Sequence, residues 1–266
     1  MTTVRNVLIY EALEKNKEYK EELKKKASWH GLSLNTIYNM DCIEWMKLIP
    51  DGSIDCIITS PPYNIGNMHS NSNKYGTYQW NNMPEEEYQA WQIVFLNQCY
   101  RILKSDWSIF YNHKVRIRDW YAIHPIQWLL KSWFVLKQEI VWDLGKSANS
   151  DKIRFFPYSE RIYRMTKDPK TKLNNVNNYS DVWRVIPKHK RKETWHIAVM
   201  PEEIVKIILH STDYKTILDP FMWSWTTAIA CINTNRNFIW FELDENYWNI
   251  SNKRIQDRLS DNTLFS

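Results

Sequence analysis

Glycine is scarce in this chain: 5 of its 266 residues are glycine, whereas 15 are tryptophan. Ordinary proteins contain about 7% glycine, because tight turns need a residue that tolerates a positive φ angle. A chain with so little glycine must place other residues in such turns. Tryptophan outnumbers both glycine and phenylalanine, and this imbalance requires a specific cause.

Long apolar runs and patterned cysteines are also absent. No run of eighteen apolar residues occurs, and the N-terminus lacks the apolar core and cleavage site of a signal peptide. The histidines show no metal-ligand spacing, and the cysteines lack the spacing of zinc sites or disulfide frameworks. The sequence therefore predicts a cytoplasmic protein with no membrane association and no metal. Four reduced cysteines are expected in its core: Cys42, Cys56, Cys99 and Cys231.

The positive charge is concentrated in one segment. Between Lys146 and Trp195, 13 Lys and Arg residues stand against 5 Asp and Glu, a local net charge of +8 in a chain whose total is +5. The remainder of the chain is therefore slightly acidic. A basic segment on a nearly neutral body predicts a phosphate-rich partner, although a solvated, loop-rich surface would have the same composition.

Apolar strand patterns alternate with helical patterns along most of the chain. Residues 54–59 predict a buried parallel strand, and residues 84–104 predict an amphipathic helix that starts with proline and acidic residues. Further strand–helix pairs follow, but no regular pattern is visible in the basic segment 146–195. The alternation predicts an α/β fold with a doubly wound parallel sheet over residues 31–266. Residues 1–30 predict a separate helical arm.

The string TSPPY at residues 59–63 directly follows the strand predicted for 54–59. Two consecutive prolines remove two backbone donors, so the Pro61 carbonyl can point outward as an acceptor. Ser60 adds a hydroxyl acceptor and Tyr63 an aromatic ring. Two acceptors that grip a nucleobase amino group would make its delocalised nitrogen lone pair nucleophilic, and the ring could hold a flipped base. The alternative is a Pro-Pro turn that simply ends a strand.

The string DPFMWSWTT follows a second predicted strand, which ends at Asp219. The next helix is predicted to begin at Thr226, and the loop and helix N-terminus would bind a polar or anionic ligand. Glu242 ends the following strand, where dinucleotide-type βαβ units place an acid against ribose hydroxyls. An ordinary βαβ connection is the alternative interpretation.

Together these two strings resemble the amino-group DNA methyltransferases, in the class whose catalytic tetrapeptide precedes the cofactor loop. TSPPY resembles the catalytic motif, and DPFMWSWTT resembles the S-adenosyl-L-methionine loop, usually Asp-Pro-Phe-x-Gly-Ser-Gly-Thr-Thr. The likeness extends over residues 34–259. It implies a Rossmann-like methyltransferase sheet and methyl transfer to a base amino group in duplex DNA. Such an enzyme can act in restriction–modification with a cognate restriction endonuclease, or as an orphan methylase.

The resemblance also implies residue roles. It implies a catalytic site at Ser60, Pro61, Pro62 and Tyr63. It implies a cofactor site at Asp41, Asp219, Pro220, Phe221, Trp223, Ser224, Trp225, Thr226, Thr227 and Glu242. In the basic segment, where the family keeps DNA-recognition elements, candidate phosphate contacts are Lys188, Lys190, Arg191 and Lys192. Ser-Pro-Pro-Tyr is commoner with cytosine and Asp-Pro-Pro-Tyr with adenine, so the resemblance favours cytosine. The Pro-Cys needed for ring-carbon methylation is absent.

The chain departs from the family pattern at glycines. Trp223, Trp225 and Trp240 occupy motif positions where the family has glycine, and an indole at 223 or 225 would fill cofactor space. Further tryptophans in turn-like contexts are Trp45, Trp107, Trp120, Trp133 and Trp195.

Three explanations compete for these tryptophans: a catalytically dead relative that retains DNA binding, a remodelled loop, or a gene whose UGA codons mean glycine but were translated as tryptophan. The one-directional substitution, which spares neighbouring motif residues, favours the third. An RNA or protein amino-group methyltransferase is a further alternative for the activity.

Overall fold

The computed structural model describes residues 34–65, 82–145, 154–176, 178–187, 200–221, 226–245, 248–249, 251–253 and 255. Several predicted features lie outside the described residues. They are the helical arm over 1–30, the loop residues Trp223, Ser224 and Trp225, the cluster Lys188, Lys190, Arg191 and Lys192, and Trp195.

The core of the fold is one sheet of eight strands within the described residues, accompanied by a small hairpin. In chain order the strands are β1 (Thr36–Asn39), β2 (Ile54–Thr59), β3 (Leu103–His113), β4 (Arg116–Arg118), β5 (Tyr121–Ile123), β6 (Val135–Asp143), β7 (Ser159–Thr166), β8 (Val182–Arg184), β9 (Thr216–Asp219) and β10 (Asn237–Glu242). The sheet order is β1-β10-β9-β2-β3-β7-β6-β8, and β4 pairs with β5 in the hairpin.

Helices cover both faces of the sheet. They are α1 (Cys42–Met46), α2 (Glu85–Ile102), α3 (Ile126–Leu129), α4 (Glu202–His210) and α5 (Thr226–Asn233). Apolar side chains of α1, α2 and α3 form one buried cluster. Those of α4 and α5 form a second cluster. Because every residue of β2 is buried, this strand needs a helical layer on each side. The predicted doubly wound α/β fold is confirmed.

The strand order reverses direction between β9 and β2. Strands β1, β10, β9, β2 and β3 are mutually parallel. From β2 the chain passes through α2 to β3 on one side, whereas from β9 it passes through α5 to β10 on the other. Buried Asp55 stabilises this junction, because its Oδ2 accepts hydrogen bonds from the amides of Lys215 and Thr216, both at 2.9 Å. A crevice at such a reversal is where open α/β sheets bind ligands.

The expectation that the basic segment 146–195 lacks regular structure was wrong. Strands β7 and β8 lie inside it, and β7 runs antiparallel between β3 and β6. Charged residues interrupt the apolar pattern expected for a strand in β7. The strand accommodates them because they have partners within the protein. The Arg161 Nε donates to Glu139 Oε1 at 2.7 Å, and the buried Arg164 donates to Ser108 Oγ at 3.2 Å.

The predicted core cysteines are confirmed: Cys42, Cys56, Cys99 and Cys231 are all buried with free thiols. Burial raises the pKa of each thiol. Within the part of the chain that the structure describes, no helix is long and apolar enough to cross a membrane.

The tryptophans predicted to lie in turns fall into two groups. Trp120 lies in the β4–β5 turn with φ at +70° and 80% exposure, as a glycine-type position would require. The expectation was wrong for Trp45, which lies inside α1 and is buried, because Asp41 caps that helix at its N-terminus. It was also wrong for Trp107, which lies within β3. Trp240, at a position where the resemblance implies glycine, is buried within β10.

Candidate active site

The predicted site residues converge on one edge of the sheet. Asp41 follows β1, Glu242 ends β10, Asp219 ends β9, Ser60 follows β2 and His113 ends β3. Because these five strands are parallel neighbours, their carboxyl ends form a single row. The cofactor candidates occupy one half of the row and the TSPPY segment the other, with the β9–β2 reversal between them. The edge therefore brings the cofactor candidates next to the TSPPY segment.

Ser60 and Tyr63 meet in a hydrogen-bonded cluster. The Ser60 Oγ lies 2.9 Å from the Tyr63 hydroxyl and 3.1 Å from Asn112 Oδ1. The Tyr63 hydroxyl lies 2.6 Å from Asn112 Oδ1 and 2.9 Å from Glu160 Oε2. The Asn112 amide nitrogen donates to the Arg161 carbonyl at 3.0 Å. This bond fixes the amide so that its oxygen faces Ser60 and Tyr63.

The cluster constrains the direction of the hydroxyl hydrogens. Asn112 Oδ1 can only accept, so Ser60 has two acceptors for its single hydrogen inside the cluster, Asn112 Oδ1 and the Tyr63 oxygen. With either partner the Ser60 oxygen keeps a lone pair for an acceptor role. Glu160 also accepts only, which makes it a partner for the Tyr63 hydrogen. Burial and the nearby Glu160 carboxylate raise the pKa of Tyr63 well above its usual value. Both hydroxyls are therefore neutral, and Ser60 presents an acceptor at the edge.

The Tyr63 ring is packed against basic and aromatic neighbours. Its centroid lies 4.6 Å from that of His113 and 5.3 Å from the Lys114 Nζ. Burial lowers the pKa of Lys114 and, together with Arg116, the pKa of His113. His113 is therefore a neutral ring at neutral pH, and it positions Tyr63 without adding a charge.

The loop after β9 is organised by Asp219. Its Oδ1 accepts from the Phe221 amide at 3.2 Å, and its Oδ2 accepts from the Thr227 hydroxyl at 3.0 Å. Burial raises the pKa of Asp219 to about 7. Phe221 packs into the core, with its ring centroid 4.9 Å from that of Phe95. Asp219 thus joins the end of β9 to the start of α5, and both of its oxygens have partners inside the loop.

The other cofactor candidates lie at the ends of β1 and β10, in the same half of the row as Asp219. The Asp41 Oδ1 accepts from the Ile43 and Glu44 amides at 2.9 and 3.2 Å as the cap of α1. Glu242 is 7% exposed, and its Oε1 accepts from the Asp244 amide at 2.8 Å. Carboxylates at neighbouring strand ends suit ribose hydroxyls, and the N-terminus of α5 suits a ligand carboxylate. This donor and acceptor set fits S-adenosylmethionine.

Sequence reasoning missed Asn112 and Glu160. Asn112 is the penultimate residue of β3, and a polar side chain at the carboxyl end of a parallel strand was the signal available for it. Glu160 lies in the segment where no strand was predicted, so no sequence signal pointed to it. The described residues contain no group of three His, Cys, Asp or Glu side chains that could hold a metal ion.

Comparison with known proteins identifies the family of this chain. The family model described as "DNA methylase", of the N6/N4 type, matches residues 54–253. The chain therefore belongs to the N6/N4 DNA methylase family. It is an S-adenosylmethionine-dependent methyltransferase that acts on amino groups of DNA bases, as the resemblance implied.

Individual relatives agree with this membership. The chain is 29% identical over 269 residues to the type II methyltransferase M.BglII of Bacillus subtilis, covering 87% of this chain and 72% of the relative. It is 25% identical over 259 residues to the DNA adenine methyltransferase YhdJ of Escherichia coli strain K12, covering 85% and 84%. The fold resembles the PvuII cytosine-N4-specific DNA methyltransferase with a TM-score of 0.68, at 18% identity, covering 85% of this chain and 91% of that one.

Proposed function

We propose that this protein methylates the exocyclic amino group of a target base in duplex DNA, with cytosine favoured over adenine. Ser60 and the Pro61 carbonyl accept the two amino hydrogens, Pro62 shapes the turn, and Tyr63 stacks on the flipped base. S-adenosylmethionine supplies an activated methyl group when it is bound beside Asp41, Glu242 and the α5 N-terminus. When the base nitrogen bonds to that methyl carbon, the sulfur–methyl bond would break, S-adenosylhomocysteine would leave, and the nitrogen would release one proton to water.

The observation that carries this proposal is the cluster around the Ser60 hydroxyl. Its Oγ lies 3.1 Å from Asn112 Oδ1 and 2.9 Å from the Tyr63 hydroxyl, so its hydrogen has acceptors inside the cluster and an oxygen lone pair is left to accept from an N–H group. An acceptor that is already oriented costs no reorganisation when charge develops on the base nitrogen. Ser60 is uncharged, whereas the Asp-Pro-Pro-Tyr form associated with adenine carries a carboxylate. This difference supports cytosine.

A restriction–modification role is part of the proposal. Relatives at 27–29% identity from Bacillus, Streptomyces and Haemophilus bear the name type II methyltransferase. We therefore infer a cognate restriction endonuclease as the partner activity, with both enzymes acting on cytoplasmic DNA.

An exposed aromatic strip supports duplex DNA as the partner. The strip comprises residues 154–158, which lead into β7 at the catalytic edge. Phe155 is 99% exposed and Phe156 is 59% exposed. The Arg154 Nη1 contacts the Val115 carbonyl at 3.4 Å, just beyond β3. Exposed aromatic side chains beside cations suit unstacked bases and the phosphates around them. We propose that this strip and the basic cluster 188–192 contact DNA together.

Two serines that flank β2 provide a test of the catalytic assignment and its control. Ser60 follows β2, whereas Ser53 precedes it and donates to the Pro50 carbonyl at 2.7 Å. Ser60→Ala should lower the single-turnover methylation rate by about 10²-fold, in the range found for removal of one transition-state hydrogen bond. The matched Ser53→Ala variant should keep the parent rate. Full activity in Ser60→Ala would contradict the assignment.

The test requires a chain that binds the cofactor. The test is run in the parent chain and in the loop-restored chain, defined as the same protein carrying Trp223→Gly and Trp225→Gly. Chromatographic and mass-spectrometric analysis of nucleosides from methylated DNA identifies the modified base. N4-methylcytosine is the expected product, and N6-methyladenine would overturn the preference for cytosine.

A further inference from the structure

Tyr88, in the first turn of α2, is the hub of a buried hydrogen-bond network behind the catalytic turn. The side chain is fully buried. Its hydroxyl lies 2.7 Å from the Pro62 carbonyl and 2.8 Å from His113 Nε2, and it accepts from Gln92 Nε2 at 2.7 Å. None of these contacts was predicted from the sequence.

The orientation of Gln92 is fixed by the layer behind it. Trp128 Nε1 donates to the Tyr111 hydroxyl at 3.2 Å, and Tyr111 donates to Gln92 Oε1 at 2.8 Å. The Gln92 amide nitrogen therefore faces Tyr88 and donates to it. Because one lone pair of the Tyr88 oxygen is engaged in this way, the Tyr88 hydrogen points towards Pro62 and His113.

His113 competes for the same hydrogen only as an acceptor. Its Nδ1 lies 2.8 Å from the Lys114 carbonyl, which cannot donate, so Nδ1 carries a hydrogen. In the neutral ring Nε2 then has a lone pair. Burial and the nearby Arg116 and Lys114 lower the pKa of His113, which keeps the ring neutral. Tyr88 thus supplies one hydrogen to a site with two acceptors, the Pro62 carbonyl and the His113 Nε2.

The catalytic turn depends on external donors. Pro61 and Pro62 are buried and have no N–H groups, so neither residue can donate a backbone hydrogen bond that closes the turn. Tyr88 contacts the Pro62 carbonyl. At the other end Asn64, with φ at +51°, donates to the Met83 carbonyl at 3.0 Å and accepts from the Met83 amide at 2.7 Å. Tyr88 in α2 and Met83, which precedes this helix, therefore contact the turn at two points.

We propose that Tyr88 is a positioning residue for methyl transfer. By donating to the Pro62 carbonyl, its hydroxyl fixes the plane of the Pro62–Tyr63 peptide and thereby the direction in which Ser60 and the Pro61 carbonyl face the base. Tyr88 touches neither the base nor the cofactor. This inference rests on the proposed function of the Ser60–Tyr63 segment.

The test is Tyr88→Phe, which removes only the hydroxyl. Tyr163→Phe is the matched control, because Tyr163 is equally buried and its hydroxyl has no hydrogen-bond partner among the described residues. Tyr88→Phe should lower kcat by about tenfold or more, as expected when reacting groups are misaligned. The KM for S-adenosylmethionine and the Kd for DNA should stay within twofold. Tyr163→Phe should leave all three constants unchanged.

A second variant separates positioning from loss of stability. Gln92→Met removes a buried partner of Tyr88 but leaves the Tyr88 hydroxyl able to donate to Pro62. Its kcat per cofactor-binding site should exceed that of Tyr88→Phe even where the two variants melt at the same temperature. A kcat for Tyr88→Phe within twofold of the control, or two variants whose kcat values fall together with their melting temperatures, would overturn the inference. If the parent and loop-restored chains both transfer no methyl group to DNA, the proposed function fails as well.

Discussion

The backbone of the β4–β5 hairpin determines which residue at position 120 gives the most stable protein. Arg118 pairs with Tyr121, so Asp119 and Trp120 form a two-residue loop. Their φ angles are +49° and +70°, and a type I′ turn requires positive φ at both central residues. Asp-Gly and Asn-Gly are the preferred sequences for this turn. The backbone therefore favours glycine where the chain has tryptophan.

The size of the effect follows from comparing two truncations at one site. Trp120→Gly and Trp120→Ala both remove the 80% exposed indole, so their difference isolates the backbone. A non-glycine residue in the left-handed region costs about 1–2 kcal/mol, which outweighs the 0.4–1 kcal/mol or so that alanine gains by restricting the unfolded chain. Trp120→Gly should therefore be more stable than Trp120→Ala by about 1 kcal/mol.

Trp133 provides the control with the opposite sign. It is 64% exposed and is not among the residues with positive φ, so Trp133→Ala should be more stable than Trp133→Gly by about 0.5–1 kcal/mol. Urea denaturation of the four variants measures both differences, each worth about 2–4 °C in melting temperature for a chain of this size. If alanine is the more stable residue at both positions, the hairpin argument is wrong.

Three further predictions address the loop and the DNA surface. The Asp219 carboxyl has a folded pKa of about 7, above its unfolded value of 3.8, so the folded state binds more protons and the free energy of unfolding falls between about pH 4 and 7. The substitution Asp219→Asn should flatten that dependence in urea titrations, because the titrating carboxyl is removed; an unchanged slope would contradict it. The fluorescence of 2-aminopurine at the target position rises when the base leaves the stack, and Phe155→Ala should abolish this rise. A mismatch at the target should restore it, because a mismatched base costs less to flip. Trp133→Ala, at the opposite sheet edge, should have no effect. The loop-restored chain, with Trp223→Gly and Trp225→Gly, should bind S-adenosylmethionine detectably in calorimetry, whereas the parent chain should not. Equal affinities of the two chains would favour a remodelled loop.

The catalytic and cofactor strings could be predicted because each is contiguous with its strand. A strand that ends in TSPPY or in DPF places its site residues at the carboxyl edge once the sheet is parallel. Asn112 and Glu160 lie 52 residues from Ser60 and 97 residues from Tyr63 respectively, so only the sheet brings them to the site. Glu160 depends on β7, whose charged side chains are satisfied within the protein and conceal the strand pattern.

Several cations of the basic segment 146–195 have partners within the protein. Its net charge of +8 counted every cation equally, yet several cations in the described part have internal partners. Arg161 pairs with Glu139 and Arg184 with Asp143, each at 2.7 Å. The buried Arg164 donates to the Thr171 carbonyl at 3.1 Å. The net charge therefore overstates the number of cations without an internal partner, and the proposed DNA contact relies more on the exposed strip.

Hydrogen bonding of the indole nitrogens separates the tryptophans further. Trp128 Nε1 donates to the Tyr111 hydroxyl and Trp142 Nε1 to the Val185 carbonyl, as buried tryptophans normally do. Trp240 is equally buried, but its Nε1 has no hydrogen-bond partner among the described residues. An unsatisfied buried donor costs about 1–3 kcal/mol.

Trp120 thus departs from a rule of backbone conformation in a turn that favours glycine, and Trp240 departs from a rule of side-chain hydrogen bonding at a position where the resemblance implies glycine. A decaying gene would not select such positions, whereas a codon read as tryptophan in place of glycine would. UGA at codons 120, 223, 225 and 240, with UGG at codons 128 and 142, is the expected nucleotide pattern. UGG at all six would refute this explanation.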